Sequence, residues 1–118
     1  MQLSENFRSK EFECPCCGRV DIDMGFIHKL QRTRFLVDLP FRINSGFRCE
    51  EWNLKVGGSN NSAHLRGYAA DVACYNDQVR WYIVERAIEV GFKRIGIGAS
   101  FIHLDCDPSL PTPRIWVY

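Results

Sequence analysis

The stretch Ser62-Ala63-His64-Leu65-Arg66-Gly67-Tyr68-Ala69-Ala70-Asp71 decides the fold of this chain, together with Phe101-Ile102-His103-Leu104-Asp105 further along. Gly67 indicates a turn, and the alternation from Tyr68 to Ala73 predicts a short strand after it. A helix is a poor alternative, because the separation of seven residues between the histidine and the aspartate would span roughly 10 Å along its axis. The stretch therefore predicts a turn followed by a strand.

The second stretch also alternates, and it continues to Cys106. Ile102 and Leu104 fall on one side of the predicted strand, whereas His103 and Asp105 fall on the other. An apolar face suits a core, and the polar face carries side chains that can bind a metal or move a proton. We therefore expect both strands to present polar groups on one side of a sheet.

Three side chains in these stretches form a candidate metal site: His64, Asp71 and His103. Two imidazoles and one carboxylate are a donor set of catalytic zinc sites, which leave the fourth coordination position for water. Zinc lowers the pKa of such a water to about 7, so that it becomes a nucleophile at neutral pH. We predict one zinc ion held by these residues. The remaining histidine, His28, lies among basic residues of a predicted helix and is expected to be solvated.

The pattern S-x-H-x-x-G-x-A-x-D, preceded by Ser45-Gly46-Phe47-Arg48 and followed by F-I-H-L-D, closely resembles the M15 peptidases. These are zinc D-alanyl-D-alanine carboxypeptidases and peptidoglycan endopeptidases, including several phage endolysins. The resemblance covers roughly residues 41–107, reaches the segment Asn6–Phe12, and is nearest to a short branch with an F-V-H-V-D-like strand. It implies a hedgehog/DD-peptidase-like fold, a Zn²⁺ cofactor and hydrolysis of peptide bonds in peptidoglycan stem peptides or cross-links.

The resemblance also implies roles for residues around the metal. Arg48 matches the arginine of the family's S-G-Y-R segment, which holds the scissile carbonyl or the substrate carboxylate and stabilises charge in the tetrahedral intermediate. A guanidinium suits this work because it is always charged and can bind two oxygens at once. Ser62 either contacts substrate or caps its own loop. Tyr68, inside the metal motif, is a further candidate for substrate binding.

The general base departs from the better-known family pattern. Ser100 and Phe101 occupy positions where many M15 enzymes carry an acidic residue or a histidine. Asp105 is the remaining candidate, and two roles stay open for it: a proton shuttle to the leaving amine, or an acceptor that orients the imidazole of His103. The missing groups also permit a second hypothesis. The chain would then be a zinc-stabilised binding or structural domain that has lost catalysis, as hedgehog signalling domains have.

Hydrophobic periodicity predicts an α+β domain with a central antiparallel sheet flanked by helices. Asp21 or Asp23 is expected to start a helix that runs to about Phe35, and Asn76 or Asp77 a helix with Val79, Ile83, Ala87 and Val90 on its apolar face. A short helix or turn is expected over 50–56. The predicted strands are 41–44, 68–73, 95–98, 101–106 and an edge strand over 115–118.

Length and composition limit the classes of protein to which the chain can belong. A length of 118 residues with 46% hydrophobic residues predicts a single domain, 1–118. A net charge of +1 gives no general attraction to nucleic acid or membranes, and we expect a monomer that acts on a peptide substrate. The segment Met1–Asn6 has no signal-peptide pattern. We therefore expect synthesis in the cytoplasm and action on the cell wall after release, as for phage lysins.

The sequence also contains six cysteines. The segment Cys14-Pro15-Cys16-Cys17-Gly18 resembles half of a zinc knuckle, but no matching second half is visible in the sequence. A second, structural zinc therefore stays an alternative. The sequence favours small buried thiols, or one local disulfide, that anchor the N-terminal arm.

Overall fold

The computed structural model describes residues 1–118, which form three helices and a five-stranded sheet. The helices are α1 (Met24–Val37), α2 (Glu50–Lys55) and α3 (Asp77–Val90). The strands are β1 (Ile43–Ser45), β2 (Ala69–Ala73), β3 (Arg94–Ile97), β4 (Phe101–Asp105) and β5 (Arg114–Val117). Single turns of 3-10 helix cover Ser9–Phe12 and Ala63–Arg66. The order of elements confirms the α+β class.

The sheet has the strand order β1-β2-β4-β3-β5 and is mixed. The first four strands pair antiparallel, as the sequence predicts, but β5 runs parallel to β3. The expectation of a purely antiparallel sheet is therefore corrected at one edge. Residues 98–100 are enough to reverse the chain between β3 and β4, whereas a parallel neighbour requires a long crossover. Here β4 and the segment 106–113 together provide that crossover.

Both long helices begin at the caps that their sequences indicate. The Asp23 carboxylate accepts a hydrogen bond from the Phe26 N–H at 2.9 Å. The Asn76 side chain accepts from Gln78 N–H at 2.9 Å and Val79 N–H at 3.0 Å. These bonds satisfy N–H groups that a helix leaves unpaired in its first turn. Local chemistry alone thus fixes where each helix starts.

A single hydrophobic core lies between one face of the sheet and the helices, in keeping with one domain. Helix α1 packs against α3, and α3 contacts β4. The core-facing positions of the central strands alternate as predicted, with Ala70 and Val72 in β2 and Ile102 and Leu104 in β4. The helices contribute large buried side chains, each worth about 1.5–3 kcal/mol; these are Phe26, Ile27, Leu30 and Ile83. The opposite face of the sheet is left for polar residues.

The cysteines of the N-terminal arm differ from the expectation. Cys14 is buried, but Cys16 and Cys17 are exposed, and all six cysteines are free thiols with no disulfide. Cys14 follows the buried Phe12, whose ring packs edge-on against Phe7 at 5.6 Å between centroids. The turn that follows projects outward, which brings its two thiols to the surface.

None of the three helices is both long enough and apolar enough to cross a lipid bilayer.

Candidate metal centre and substrate cavity

Strand register brings two of the predicted ligands together. Asp71 in β2 and His103 in β4 are direct cross-strand partners, and Ser45 of β1 lies opposite Asp71 on its other side. Directly opposed residues in an antiparallel pair have Cβ atoms only about 4.5–5.5 Å apart. A separation of 32 residues in sequence thus becomes contact across the polar face of the sheet.

The third predicted ligand, His64, lies in the 3-10 turn before β2. The Ser62 hydroxyl accepts a hydrogen bond from the His64 N–H at 3.2 Å and caps this turn. Gly67 ends the turn with φ 78°, a left-handed conformation that favours glycine. A Cβ at this position would lie 1.9 Å from the Asp21 carbonyl oxygen. Gly67 therefore satisfies a backbone and a packing requirement together.

The two imidazoles converge on one carboxylate oxygen. Asp71 Oδ1 lies 3.2 Å from His64 Nε2 and 2.9 Å from His103 Nδ1. The remaining nitrogens are occupied, since His64 Nδ1–H donates to the Gly46 carbonyl at 2.7 Å and His103 Nε2–H donates to Asp105 Oδ2 at 2.6 Å. Such bonds fix the tautomer and leave the opposite nitrogen as a ligand.

The electrostatics of the cluster favour a cation. Burial acts to raise the pKa of Asp71, but hydrogen bonds from His103 and His64 outweigh it and hold that pKa well below its usual range. Burial lowers the pKa of His64, against the opposing effect of Asp71. Burial also acts to lower the pKa of His103, but Asp105 and then Asp71 outweigh it and raise that pKa. Asp71 is therefore ionised, and the two carboxylates beside His103 favour positive charge at this point, which a bound metal cation would supply.

The donor set fits zinc. The ligating atoms of His64, Asp71 and His103 all lie within 4.8 Å of one another, as they must to share one ion. Both imidazoles are almost fully buried, with 2% and 5% of their surface exposed. Two nitrogens and one oxygen supply three of the four positions of a tetrahedral catalytic site. The structure thus brings together the three residues that the sequence motif picked out.

Arg48 reaches the same place from the loop before α2. Its guanidinium donates to Ser45 Oγ and Asn53 Oδ1, each at 3.1 Å, and lies 3.4 Å from Asp71 Oδ2. The side chain is only 14% exposed. The loop itself is tied to the metal motif, because Arg48 N–H donates to the His64 carbonyl at 3.1 Å. Arg48 is therefore a positioned group at the wall of the site rather than a surface arginine.

Asp105 lies beneath the cluster and is fully engaged. One carboxylate oxygen accepts from His103, and the other accepts from Arg94 Nε at 2.9 Å and from the Asp107 N–H at 3.3 Å. The side chain is 1% exposed. Of the two roles that the sequence leaves open, this arrangement favours the orientation of His103.

A cavity of about 550 Å³ opens over the cluster. Its lining includes the three candidate ligands, Arg48, Asp105 and Ser62, so that Ser62 both caps its turn and faces the cavity. Tyr68 is not part of the lining. Its backbone pairs with Ala63 and Cys106 instead, which makes it part of the framework that holds the turn against β4. The predicted substrate contact at Tyr68 therefore lies outside the cavity.

Two aromatic side chains form a wall of the cavity, and their position follows only from the tertiary structure. Trp116 and Tyr118, from the C-terminal edge of the sheet, line the cavity, and the Trp116 ring lies 5.4 Å from the His103 ring. Gly96 makes room for them, since a Cβ there would lie 2.7 Å from Trp116 Nε1 and from Tyr118. The signal was an aromatic tail after three prolines, but only the parallel pairing of β5 with β3 brings that tail to the metal site.

An ion pair joins the 3-10 turn before β2 to the segment that follows β4. Arg66, at the end of the 3-10 turn, donates through Nε to Asp107 Oδ2 at 2.6 Å, just beyond β4. Burial acts to raise the pKa of Asp107, but hydrogen bonds from Ser109 and the charge of Arg66 outweigh it and lower that pKa. The pair links the turn that holds His64 to the strand that holds His103.

Replacing Asp107 with asparagine should lower the free energy of unfolding at pH 7 by about 1.5–3 kcal/mol, the usual value of hydrogen bonds to a charged group. A carboxyl whose folded pKa is depressed stabilises the native state above its unfolded pKa of about 3.9, and this contribution is lost as the pH falls through the folded pKa. The difference between variant and wild type should therefore shrink in acid. Urea unfolding with chelator present, at neutral and acidic pH, measures it. Asp77→Asn, whose carboxylate is fully exposed in its ion pair with Arg80, is the control and should change little. An equal deficit for Asp107→Asn at both pH values would contradict this account.

Comparison with known proteins agrees with this geometry. The family model described as Peptidase M15 matches residues 5–105 of the chain. A segment of 45 residues is 47% identical to the zinc D-Ala-D-Ala carboxypeptidase of Streptomyces albus G. That segment covers 37% of this chain and 18% of the carboxypeptidase, so the match spans less than a fifth of the relative's length. Because the family match extends over most of the sequence and includes every candidate ligand, the chain belongs to the M15 peptidases.

Proposed function

We propose that this protein is a zinc-dependent peptidase that hydrolyses peptide bonds in peptidoglycan stem peptides or cross-links. The observation that carries the proposal is the convergence of two buried imidazoles on Asp71 Oδ1 at the floor of an open cavity. The name of the Streptomyces relative supports a substrate that contains D-alanine.

His64, Asp71 and His103 would hold the zinc ion. A zinc ion bound there supplies a Lewis acid and lowers the pKa of a water molecule to about 7. The protein holds the three donor atoms in fixed positions. Gly46 fixes one imidazole through its carbonyl, and Asp105 fixes the other through its carboxylate.

Arg48 binds the reacting group of the substrate in this proposal. Its guanidinium is held by Ser45 and Asn53, so its orientation is set before substrate arrives. A fixed cation in a largely buried site stabilises the negative charge that develops on a carbonyl oxygen under attack. The same group can bind a substrate carboxylate through two parallel hydrogen bonds. Ser62, with its hydroxyl at the cavity wall, is a second substrate contact.

Asp105 is a positioning residue in this proposal, because both of its oxygens already accept hydrogen bonds from protein groups. Asp105→Asn should lower zinc affinity about 10–100-fold, the usual cost of losing a group that orients a ligand. Activity should return when zinc is supplied in excess. Isothermal titration with zinc and peptidase assays over a zinc series measure the two effects. Activity that stays lost at full zinc occupancy, with an unchanged circular dichroism spectrum, would instead identify Asp105 as the proton shuttle.

The aromatic wall gives the cavity a surface on which a peptide can pack. Trp116 and Tyr118 form one wall, residues of the loop over 56–62 form a second, and the cavity is open to solvent. Aromatic rings bind extended apolar groups such as alanine methyls and peptide planes with little loss of conformational entropy. We propose that the substrate peptide lies between these two walls.

The biological setting proposed here is cell-wall lysis by a phage-type enzyme that reaches peptidoglycan after release from the cytoplasm. The residue pattern of the short M15 branch supports this setting. A lysis assay on outer-membrane-permeabilised cells, with and without chelator, tests it. Chelator-sensitive clearing is expected, and intact turbidity with zinc-loaded protein would count against it.

The decisive test of the activity is incubation of the purified protein with defined muropeptides, followed by mass analysis of the products. Loss of a terminal D-alanine identifies a carboxypeptidase, whereas cleavage within a stem or cross-link identifies an endopeptidase. Both activities should disappear with chelator and return with zinc. Zinc-loaded protein that cleaves none of these substrates would favour the second hypothesis, a binding domain of the same fold.

A further inference from the structure

A second cluster of metal-binding side chains lies outside the cavity. The thiols of Cys14, Cys17 and Cys49 all lie within 4.8 Å of one another. The first two belong to the N-terminal arm and the third lies directly after Arg48, so that a separation of 35 residues is closed only by folding. The Cys14 and Cys49 sulfurs are 3.6 Å apart and are not bonded.

The backbone around these thiols is arranged as it is around sulfur ligands. Cys49 N–H points at the Cys14 sulfur at 3.4 Å, and Trp52 N–H points at the Cys49 sulfur, also at 3.4 Å. The arm itself closes into a tight turn, with Gly18 N–H donating to the Cys14 carbonyl at 2.7 Å. N–H groups directed at sulfur stabilise thiolates, which are the form that binds metal.

Further donors are available at the exposed side of the cluster. The Cys16 sulfur lies 3.7 Å from the Glu51 carboxylate, and both residues are exposed. Four thiolates make one of the usual donor sets of structural zinc sites, and a carboxylate oxygen is also a zinc donor. The segment that resembles half of a zinc knuckle is thus completed by Cys49, which belongs to no knuckle pattern in the sequence.

We propose that Cys14, Cys17 and Cys49 bind a second, structural zinc ion that anchors the N-terminal arm to the start of α2. The arm is already joined to this region, because Phe47 N–H donates to the Phe12 carbonyl at 2.9 Å. A metal at the thiols would fix the backbone next to Arg48 by binding Cys49. The Arg48 backbone is already held by the hydrogen bond from its own N–H to the His64 carbonyl. The ion is structural because the thiols are not part of the lining of the substrate cavity.

The test is the metal content of the full chain, purified under reducing conditions from zinc-supplemented medium. Wild type should contain about two zinc ions per chain, whereas Cys17→Ser and Cys49→Ser should each contain about one. His103→Ala should also contain about one. Its cobalt-substituted form should keep the near-ultraviolet absorption of thiolate-to-cobalt charge transfer, which the cysteine variants should lose. Cys106→Ser, a half-buried thiol outside the cluster, is the matched control and should keep both ions.

Several outcomes would overturn the proposal. One is a single zinc in wild type together with no thiolate-to-cobalt absorption. Another is a Cys14–Cys49 disulfide in freshly purified protein, found by mass analysis without reduction. A third is two zinc ions retained in Cys17→Ser. Cys17 is exposed, so its serine variant gives a reading even if Cys49→Ser fails to fold. Because the readout is metal content, the result is independent of whether the cavity cleaves peptidoglycan.

Discussion

Replacing His103 with alanine should remove one zinc ion per chain and abolish peptidase activity. The change deletes one of three donors that converge on a single point, and it removes one hydrogen-bond partner from each of the buried carboxylates of Asp71 and Asp105. An ion that binds only the native state stabilises it, so its loss should also lower the melting temperature. Elemental analysis, turnover of defined muropeptides and thermal unfolding measure the three effects on one preparation.

His28→Ala is the matched control for this experiment. His28 is exposed on α1, as the sequence predicts for a solvated side chain, and it is not one of the clustered ligands. Zinc content, turnover and melting temperature should all stay at wild-type values. If His103→Ala kept its full zinc content and its activity, the assignment of the metal centre to His64, Asp71 and His103 would be wrong.

Replacing Arg48 with alanine should reduce turnover by about 10²–10³-fold, the usual cost of losing one group that stabilises developing negative charge. Zinc content should survive, since Arg48 is not a ligand. Its guanidinium lies 3.4 Å from Asp71 Oδ2, and removal of a neighbouring positive charge does not weaken the binding of a cation. The expected signature is thus low activity in a zinc-loaded, folded protein.

Arg48→Lys separates charge from geometry at this position. Lysine keeps the positive charge but cannot reproduce the two-pronged contact with Ser45 and Asn53. Activity between that of wild type and that of Arg48→Ala is expected. Equal loss of zinc in Arg48→Ala and His103→Ala would refute the division of roles and would make Arg48 a structural part of the metal site.

Patterns that act over a few residues were readable from the sequence. Asp23 and Asn76 start their helices because a cap needs only the N–H groups of the next turn. The alternation in β2 and β4 separates core from site because successive side chains of a strand point to opposite faces. The same alternation places Asp71 and His103 on the polar faces of their strands, and the resemblance to a known family adds His64 as the third candidate ligand. The α+β class and the choice of candidate ligands were therefore predictable, whereas their convergence depends on the pairing of β2 with β4.

Tertiary structure alone decided which distant segments meet. The parallel pairing of β5 with β3 brings Trp116 against His103. The sequence of the C-terminal tail does not by itself indicate which strand it pairs with. Folding of the N-terminal arm places two cysteine thiols beside Cys49, and Asp105 is occupied because Arg94 lies opposite it on β3. Tyr68 lies outside the cavity because its turn packs against β4. The physical reason is common to all four: pairing of remote segments depends on the burial and hydrogen bonding of the whole chain, which no local window of sequence contains.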